Sequence, residues 1–120
     1  MSTTPADTIQ RLIDAINERE PARRRSLIEQ TFTPDGAYTD PDDDVQGYDA
    51  LDALFDRLQH QAPPELRFSL LGQVDAHHHQ ARFTWQYGPA DAPAALATGG
   101  DVAVFHEGRI HRLYAFFDQP

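Results

Sequence analysis

The spacing of apolar residues changes from a helical period to a period of two at about residue 65 of this 120-residue chain. Before that point, three segments carry apolar side chains at helical spacing, and they begin near Pro5, near Pro21 and after Gly47. After it, apolar and polar side chains alternate, as along strands with one buried face. Helices followed by strands predict an α+β domain in which three N-terminal helices pack on a bent antiparallel sheet. The length leaves room for one domain over residues 1–120.

Shorter signals divide the rest of the chain. Residues 33–36 have turn chemistry and predict the end of the second helix, and residues 37–40 are predicted as a short strand. Residues 75–78 are predicted as a turn, and residues 88–94 as a loop rich in proline and alanine. On the strand between them, Trp85 shares a face with Phe83, so we expect its ring to lie in the core or to line a pocket.

The last two predicted strands, 96–105 and 109–117, flank a Glu-Gly pair that is typical of a tight hairpin turn. Both strands carry apolar side chains on both faces, so both faces of this part of the sheet need to be covered. Three short helices can cover only one face, and a second copy of the chain is the simplest cover for the other. We therefore expect a homodimer.

Charge and composition limit the kinds of partner. The formal net charge is −9 and all 10 basic residues are arginine, so the surface repels phosphate backbones and no nucleic-acid partner is expected. No apolar run is long enough to span a bilayer, and residues 1–10 lack the pattern of a signal peptide. The absence of cysteine excludes thiolate chemistry and fits a reducing compartment. We therefore expect a cytoplasmic protein with no membrane partner.

Two clusters have metal-ligand chemistry without the spacing of a metal site. A calcium loop in the acidic run 40–44 would need glycine where Val45 stands and a bidentate glutamate where Leu51 stands. His77 and His79 share a strand face, but a zinc site needs further ligands that the neighbouring sequence does not supply. We therefore predict no metal and no cofactor. The arginine run 23–25 is interpreted as a solvated helix face.

Asp101 is an isolated carboxylate in an otherwise apolar strand. Burying a carboxylate is costly unless the group is paired, hydrogen-bonded or protonated. Two interpretations stay open at this point. Asp101 is either a buried group with a raised pKa that faces a cavity, or an aspartate at the rim of the sheet that touches water.

Several segments together resemble one superfamily. They are Tyr38-Thr39-Asp40-Pro41, Gly47-Tyr48-Asp49-Ala50-Leu51, and the ending Gly108-Arg109-Ile110 with Phe116-Phe117-Asp118. With the order of the elements, they resemble the nuclear-transport-factor-2-like superfamily, and within it the SnoaL-like and ketosteroid-isomerase-like branch. The resemblance implies a cone-shaped fold, in which a strongly bent sheet wraps the long first helix and the open end of the cone is a pocket.

The resemblance also implies roles for particular residues. In ketosteroid isomerase a carboxylate just before a proline is the general base, and Asp40 matches this position. A second aspartate of that enzyme, on a late strand, is kept protonated and donates a hydrogen bond to the substrate oxyanion, and Asp101 matches it. A first-helix tyrosine of that enzyme, also an oxyanion donor, is replaced here by Leu12, and removing one such donor costs about 10²–10³ in rate. Tyr38, Tyr87 and Tyr114 are candidates to replace it. The residues expected to bind substrate are Leu12, Tyr38, Phe55, Trp85, Tyr114 and Phe116.

Three functions stay open on this basis. The first is an acid–base isomerase, cyclase or dehydratase acting on a small apolar oxygenated molecule, with Asp40 as base and Asp101 as acid or oxyanion donor. Polyketide cyclases of this group use aspartate chemistry of that kind on apolar, oxygenated rings. The second is a non-catalytic binder of a small apolar ligand, and the third is a dimerisation module with a vestigial pocket. The two matched carboxylates favour the first function, and Leu12 favours the other two.

Overall fold

In the part of the chain that the structure describes, three helices and a six-stranded sheet form the fold. The computed structural model describes residues 4–89 and 95–118, so most of the predicted loop 88–94 lies outside the described residues. The elements are α1 (Pro5–Asn17), α2 (Pro21–Thr31), β1 (Phe32–Thr39), β2 (Asp44–Gln46), α3 (Tyr48–Gln61), β3 (Leu66–His77), β4 (Gln80–Pro89), β5 (Ala97–His106) and β6 (Arg109–Phe117). The α+β class and the three predicted helices are confirmed. Across residues 4–89 and 95–118, no helix is both long and apolar enough to cross a membrane.

Both ends of α1 are fixed by side-chain hydrogen bonds. Thr4 accepts a bond from the Asp7 amide at 3.1 Å, and the Asp7 carboxylate accepts one from the Thr4 amide at 3.2 Å, which together make a capping box. At the other end, the Asn17 amide group donates to the Phe68 carbonyl oxygen at 2.8 Å and accepts from the Phe68 amide at 2.9 Å. The helix is therefore held against the edge strand β3.

The strand order is β2-β1-β6-β5-β4-β3. All neighbouring pairs are antiparallel except β1 and β6, which run parallel. The sheet is therefore mixed rather than wholly antiparallel as predicted. The reason is that the long stretch of chain between β1 and β6 gives a crossover with enough length to bring the two strands together in the same direction.

The segment 33–36, predicted as a turn, belongs to β1. Its proline and glycine are tolerated because the pairing of β1 with β6 is irregular there: the register shifts between Phe32 and Ala37. A helix that runs up to the predicted turn would include Phe32, but in the structure Phe32 starts β1 and is fully buried. The predicted turn at 75–78 is shorter than expected, since β3 continues to His77.

The helices cover one face of the sheet, called here the inner face. Its buried side chains include Phe83 and Trp85 of β4, Ala103 of β5, and Leu113 of β6. The outer face has no helix on it among the described residues. A bulge in β3, with Gly72 at φ 72°, interrupts the pairing with β4 and adds to the bend of the sheet.

The arginine run on α2 is not a fully solvated face. Arg24 is only 3% exposed, and it donates to Asp52 at 2.9 Å and to Asp56 at 3.0 Å, both on α3. Arg23, by contrast, is 71% exposed. The prediction of a solvated face holds for Arg23 and is wrong for Arg24, because the acidic face of α3 that turns Arg24 inward was not anticipated.

Candidate active site

A cavity of about 230 Å³ lies between the inner face of the sheet and helices α1 and α3. Its lining is mostly aliphatic and aromatic, with the polar groups of a few side chains among them. The lining residues are Leu12, Ile13, Ile16, Tyr38, Asp40, Phe55, Leu58, Phe68, Phe83, Trp85, Tyr87, Ala97, Thr98, Asp101, Ala115, Phe117 and Asp118. The volume is below the roughly 300–1,000 Å³ of drug-sized ligand sites and above the roughly 150 Å³ that accommodates benzene. The cavity therefore fits a compact organic molecule.

Four of the six side chains expected to bind substrate line this cavity: Leu12, Tyr38, Phe55 and Trp85. Tyr114 and Phe116 do not, and their expected placement is wrong. They lie on the outer face, where they are 40% and 64% exposed. Side chains alternate along a strand, and on β6 it is the neighbouring odd-numbered positions that reach the cavity. Because both faces of β6 are apolar, the sequence did not reveal which face would be the inner one.

The lining also includes residues that the sequence reasoning did not single out, and α1 and α3 supply three of them: Ile13, Ile16 and Leu58. They belong to the apolar stripes of these helices, which the sequence pattern indicates. The pattern does not indicate that part of each stripe borders a cavity. Strand ends supply Thr98 and Asp118, which are joined by a 2.6 Å hydrogen bond. No local signal identifies these two, because they meet only through the pairing of β5 with β6.

Asp101 is buried in the cavity wall, 7% exposed, which decides between the two interpretations left open by the sequence. Its Oδ1 accepts a 2.8 Å hydrogen bond from the indole nitrogen of Trp85. Burial raises the pKa of Asp101 to about 7, and the negative charge of Asp40 adds to this rise, whereas the bonds from Trp85 and from the Phe116 backbone oppose it. Near neutral pH the group can therefore either hold or release a proton.

Asp40 follows directly after β1 and is surrounded by donors. Its Oδ1 accepts bonds from the amides of Asp42 at 2.8 Å and Asp43 at 2.7 Å, and its Oδ2 accepts one from the Tyr38 hydroxyl at 2.6 Å. Asp43 is in turn paired with Arg57 at 2.7 Å. The acidic run 40–44 thus folds around one carboxylate and holds it at the cavity.

The site therefore brings together two carboxyl groups in different surroundings. Asp40 is held by three donors, whereas the Asp101 group is held mainly by the indole of Trp85. Two carboxyl groups in different surroundings can divide the roles of base and acid between them. Tyr38 adds a buried hydroxyl, and its pKa is raised by burial and by its bond to Asp40. In the described part of the chain, no three His, Asp or Glu side chains are close enough together to hold a metal ion.

A bent sheet around a first helix, with a cavity opening between them, is the architecture of the nuclear-transport-factor-2-like class. The model of the SnoaL-like domain matches residues 9–113, and the chain belongs to this family. No curated protein matches the sequence at a significant level.

Solved structures extend the comparison. A candidate isomerase of the SnoaL-like family from Agrobacterium tumefaciens is 31% identical, with a TM-score of 0.85, and the match covers 93% of this chain and 95% of that one. A candidate polyketide cyclase from Sinorhizobium meliloti is 18% identical (TM-score 0.71; 91% and 93% covered). A candidate ketosteroid isomerase from Kribbella flavida is 13% identical (TM-score 0.70; 96% and 78% covered). The last two show the fold alone.

Proposed function

We propose that this protein is an acid–base enzyme of the isomerase or cyclase type, which moves a proton at a carbon next to a carbonyl group. The observation that carries the proposal is that one apolar cavity is lined by both Asp40 and Asp101. The name of the Agrobacterium relative as a candidate isomerase gives further support. Apolar surroundings strengthen the electrostatic effect of each polar group on a bound substrate.

In the proposed reaction, Asp40 acts as the base. Its carboxylate takes a proton from the carbon next to the carbonyl group, the C–H bond breaks, and the electron pair moves to form an enolate. Protonated Asp101 donates a hydrogen bond to the enolate oxygen, where negative charge develops. Asp40 then returns the proton to a different carbon, so the substrate is isomerised and both carboxyl groups regain their starting states.

The cavity limits the proposed substrate. A volume of about 230 Å³ suits one or two rings rather than a drug-sized molecule. The lining is mostly apolar, and its acidic groups disfavour a substrate with its own negative charge near Asp40 and Asp101. We therefore propose a small, neutral, cyclic ketone or a related oxygenated ring.

Two small probes test this proposal. Exchange of the α-hydrogens of cyclohexanone in D₂O, followed by proton NMR, reports proton abstraction directly, and conversion of 3-cyclohexenone to its conjugated isomer is followed by ultraviolet absorption. We expect the protein to accelerate both, Asp40→Asn to remove nearly all of the acceleration, and Asp101→Asn to reduce it by about 10²-fold. Asp75→Asn is the matched control, since Asp75 is exposed, pairs with Arg82 and lies outside the cavity.

The alternative is a non-catalytic ligand-binding module. It is favoured by Leu12, which occupies the position of an oxyanion donor, and by the three donors that already satisfy Asp40. Calorimetric titration with cyclohexanone separates the two functions. If cyclohexanone binds but its exchange is no faster with the wild-type protein than with Asp40→Asn, the enzyme proposal is contradicted and the binding module is supported.

We further propose that the protein forms a homodimer through the outer face of the sheet. This face carries the exposed rings of Tyr114 and Phe116 beside the half-buried side chains of Val102 and Val104. Exposed apolar side chains grouped on one sheet face are typical of an association surface. The surface is isologous in this proposal, so each copy contributes the same strands.

A further inference from the structure

Trp85 and Asp101 are diagonal neighbours on adjacent strands. In the antiparallel pairing of β4 with β5, Phe83 is opposite Asp101 and Trp85 is opposite Gly99. Positions two residues apart share a face, so the indole ring and the carboxyl group both lie on the inner face. The ring reaches along the strand from its own position to Asp101, and its Nε1–H donates to Oδ1 at 2.8 Å in a buried hydrogen bond.

Gly99 leaves the space that this ring occupies. A Cβ atom at that position would overlap the Cζ2 and Cε2 atoms of the Trp85 ring and the carbonyl oxygen of Phe116. The indole therefore lies against the backbone of β5 at the point where other residues carry a side chain. This close approach places Nε1 beside the carboxyl group two residues further along β5.

Two other aromatic rings fix the orientation of the indole. Phe68 contacts it edge-on, with ring centroids 5.5 Å apart and an interplanar angle of 68°, and Phe117 does so at 5.7 Å and 87°. Trp85 itself is 7% exposed. Rings packed in this way are favourable beyond their buried area, and the indole N–H is left with one direction in which to donate.

The backbone of Phe116 also bonds the Asp101 carboxyl group, so Trp85 supplies the side-chain contact and the strand supplies a second one. We propose that Trp85 is the positioning residue for Asp101: its indole N–H binds Oδ1 and orients the carboxyl group so that Oδ2 is the atom that exchanges a proton or a hydrogen bond with a bound molecule. This inference rests on the proposed function as far as catalysis is concerned, whereas the arrangement of the two side chains does not depend on it. Trp85 acts through Asp101 and is not itself assigned a chemical step.

The arrangement selects one form of the protonated carboxyl group. A carbonyl oxygen accepts hydrogen bonds better than the hydroxyl oxygen of an acid, so the indole keeps Oδ1 as the carbonyl oxygen and puts the proton on Oδ2. The proton then has a defined place, as an oxyanion donor requires. The ligand atom that this group recognises is accordingly an acceptor, such as the oxygen of a neutral ketone.

The emission of Trp85 tests the contact directly, because it is the sole tryptophan of the chain. We expect the emission to change with pH at the midpoint at which the Asp101 carboxyl group titrates, measured by carbon-13 NMR of labelled aspartate. Tyr38, Asp40, Tyr87 and Asp118 also line the cavity and carry titratable groups, so Asp101→Asn is needed to assign the change. That variant keeps an oxygen for the indole and should lose the step.

Three further variants separate positioning from packing. Trp85→Phe removes the N–H and should raise the NMR midpoint of Asp101 by about one pH unit, because a bond that favours the ionised form is lost. Gly99→Ala should displace the ring and abolish the pH step in its emission. Phe32→Leu changes a buried ring that lies outside the cavity and has no hydrogen bond to Asp101, and it should leave the midpoint unchanged.

An unchanged midpoint in Trp85→Phe, or wild-type emission without a step at the Asp101 midpoint, would overturn the inference. The wild-type measurement decides even where a variant does not fold. The emission and NMR measurements need no substrate, so they test the positioning of Asp101 separately from the proposed activity. The positioning can be confirmed when cyclohexanone exchange is not accelerated, and exchange can be accelerated when the positioning is refuted. The pH profile of exchange, if it follows the Asp101 midpoint from wild type to Trp85→Phe, connects the positioning to the reaction.

Discussion

The hydroxyl group of Tyr38 donates a 2.6 Å hydrogen bond to Oδ2 of Asp40, two residues further along the chain. Positions two residues apart point to the same face of a strand, so Tyr38, near the end of β1, and Asp40, directly after it, both reach the cavity. The bond joins a phenol that is 8% exposed to a carboxylate that already accepts two backbone bonds. Tyr38 thus both lines the cavity and helps to hold the Asp40 carboxylate in place.

The first prediction concerns the ionisation of Tyr38. Burial, and then its bond to Asp40, raise its pKa above the ordinary value, so the folded protein should keep this proton where the unfolded chain loses it, above about pH 10. Because the folded state holds the proton more tightly, this group's contribution to stability falls as pH rises above that value. Urea unfolding of wild type and Tyr38→Phe should show the difference between them shrinking from pH 8 to 11. A constant difference would contradict the prediction.

The second prediction concerns Asp101→Asn. The raised pKa of about 7 means that the folded state retains a proton that the unfolded chain releases at about 3.8. This group therefore disfavours folding progressively from about pH 4 to pH 7, and the penalty levels off above that range. We expect the variant to be more stable than wild type at pH 8, by up to about 4 kcal/mol, and nearly equal at pH 4. Denaturant titration at both pH values measures this, and a variant that is less stable at pH 8 would identify an ionised structural partner instead.

The third prediction uses Leu12, which is fully buried and lines the cavity on α1. Leu12→Tyr should bring a hydroxyl donor into the cavity and raise the rate of cyclohexanone exchange by at least about 10-fold, at a cost of about 1–3 kcal/mol from overpacking. Leu12→Phe has the same ring without the hydroxyl and is the control. Equal exchange rates in the two variants would show that this position no longer contributes an oxyanion donor.

The fourth prediction concerns Arg24, whose guanidinium group joins α2 to two carboxylates of α3. Arg24→Ala should lower the free energy of unfolding by about 2–3 kcal/mol, below the range for a fully buried pair because Asp52 and Asp56 are partly exposed. Arg23→Ala removes an exposed neighbour on the same helix and should change it by less than about 0.5 kcal/mol. Urea unfolding measures both free energies. If Arg24→Ala and Arg23→Ala lower the free energy of unfolding by similar amounts, the prediction for the buried Arg24 is contradicted.

The fifth prediction concerns the outer face. Sedimentation of the wild-type protein at micromolar concentration should show a dimer, and Phe116→Asp should convert it to a monomer, because a carboxylate would be buried without a partner. Leu96→Asp changes a residue of similar exposure, 66% against 64%, that lies outside the strands and should leave the dimer intact. A wild-type monomer would refute the proposal.

The helices and the hairpin turn could be predicted because their signals are local. The Thr4–Asp7 capping box, the apolar stripe of α1 and Gly47, which precedes α3 at φ 95°, each act within a few residues. The turn before β6 has Glu107 and Gly108 at φ 52° and 82°, as a two-residue hairpin requires. Alternation also placed Phe83 and Trp85 together correctly on one face of β4.

The remaining features depend on pairing between distant strands. Nothing near Asp101 in the sequence indicates Trp85, since the bond requires the particular register that sets Trp85 opposite Gly99. The placement of Tyr114 and Phe116 failed for a similar reason: a strand that is apolar on both sides does not reveal which side meets the helices. Residues 33–36 have the local composition of a turn and were predicted as one. Their irregular strand conformation depends on contacts with β6, almost 80 positions later, which local sequence does not indicate.

The cavity walls come from opposite ends of the chain, with Leu12 on α1 and Phe117 on β6. A molecule seated there contacts elements that separate when the protein unfolds, so its binding free energy is added to the stability of the whole fold. At 100 times its dissociation constant, a ligand adds about 2.7 kcal/mol, which raises the melting temperature of a domain of this size by about 10 °C. Heating the protein with a library of small cyclic ketones and phenols would thus show which of these two classes of compound binds and stabilises the fold.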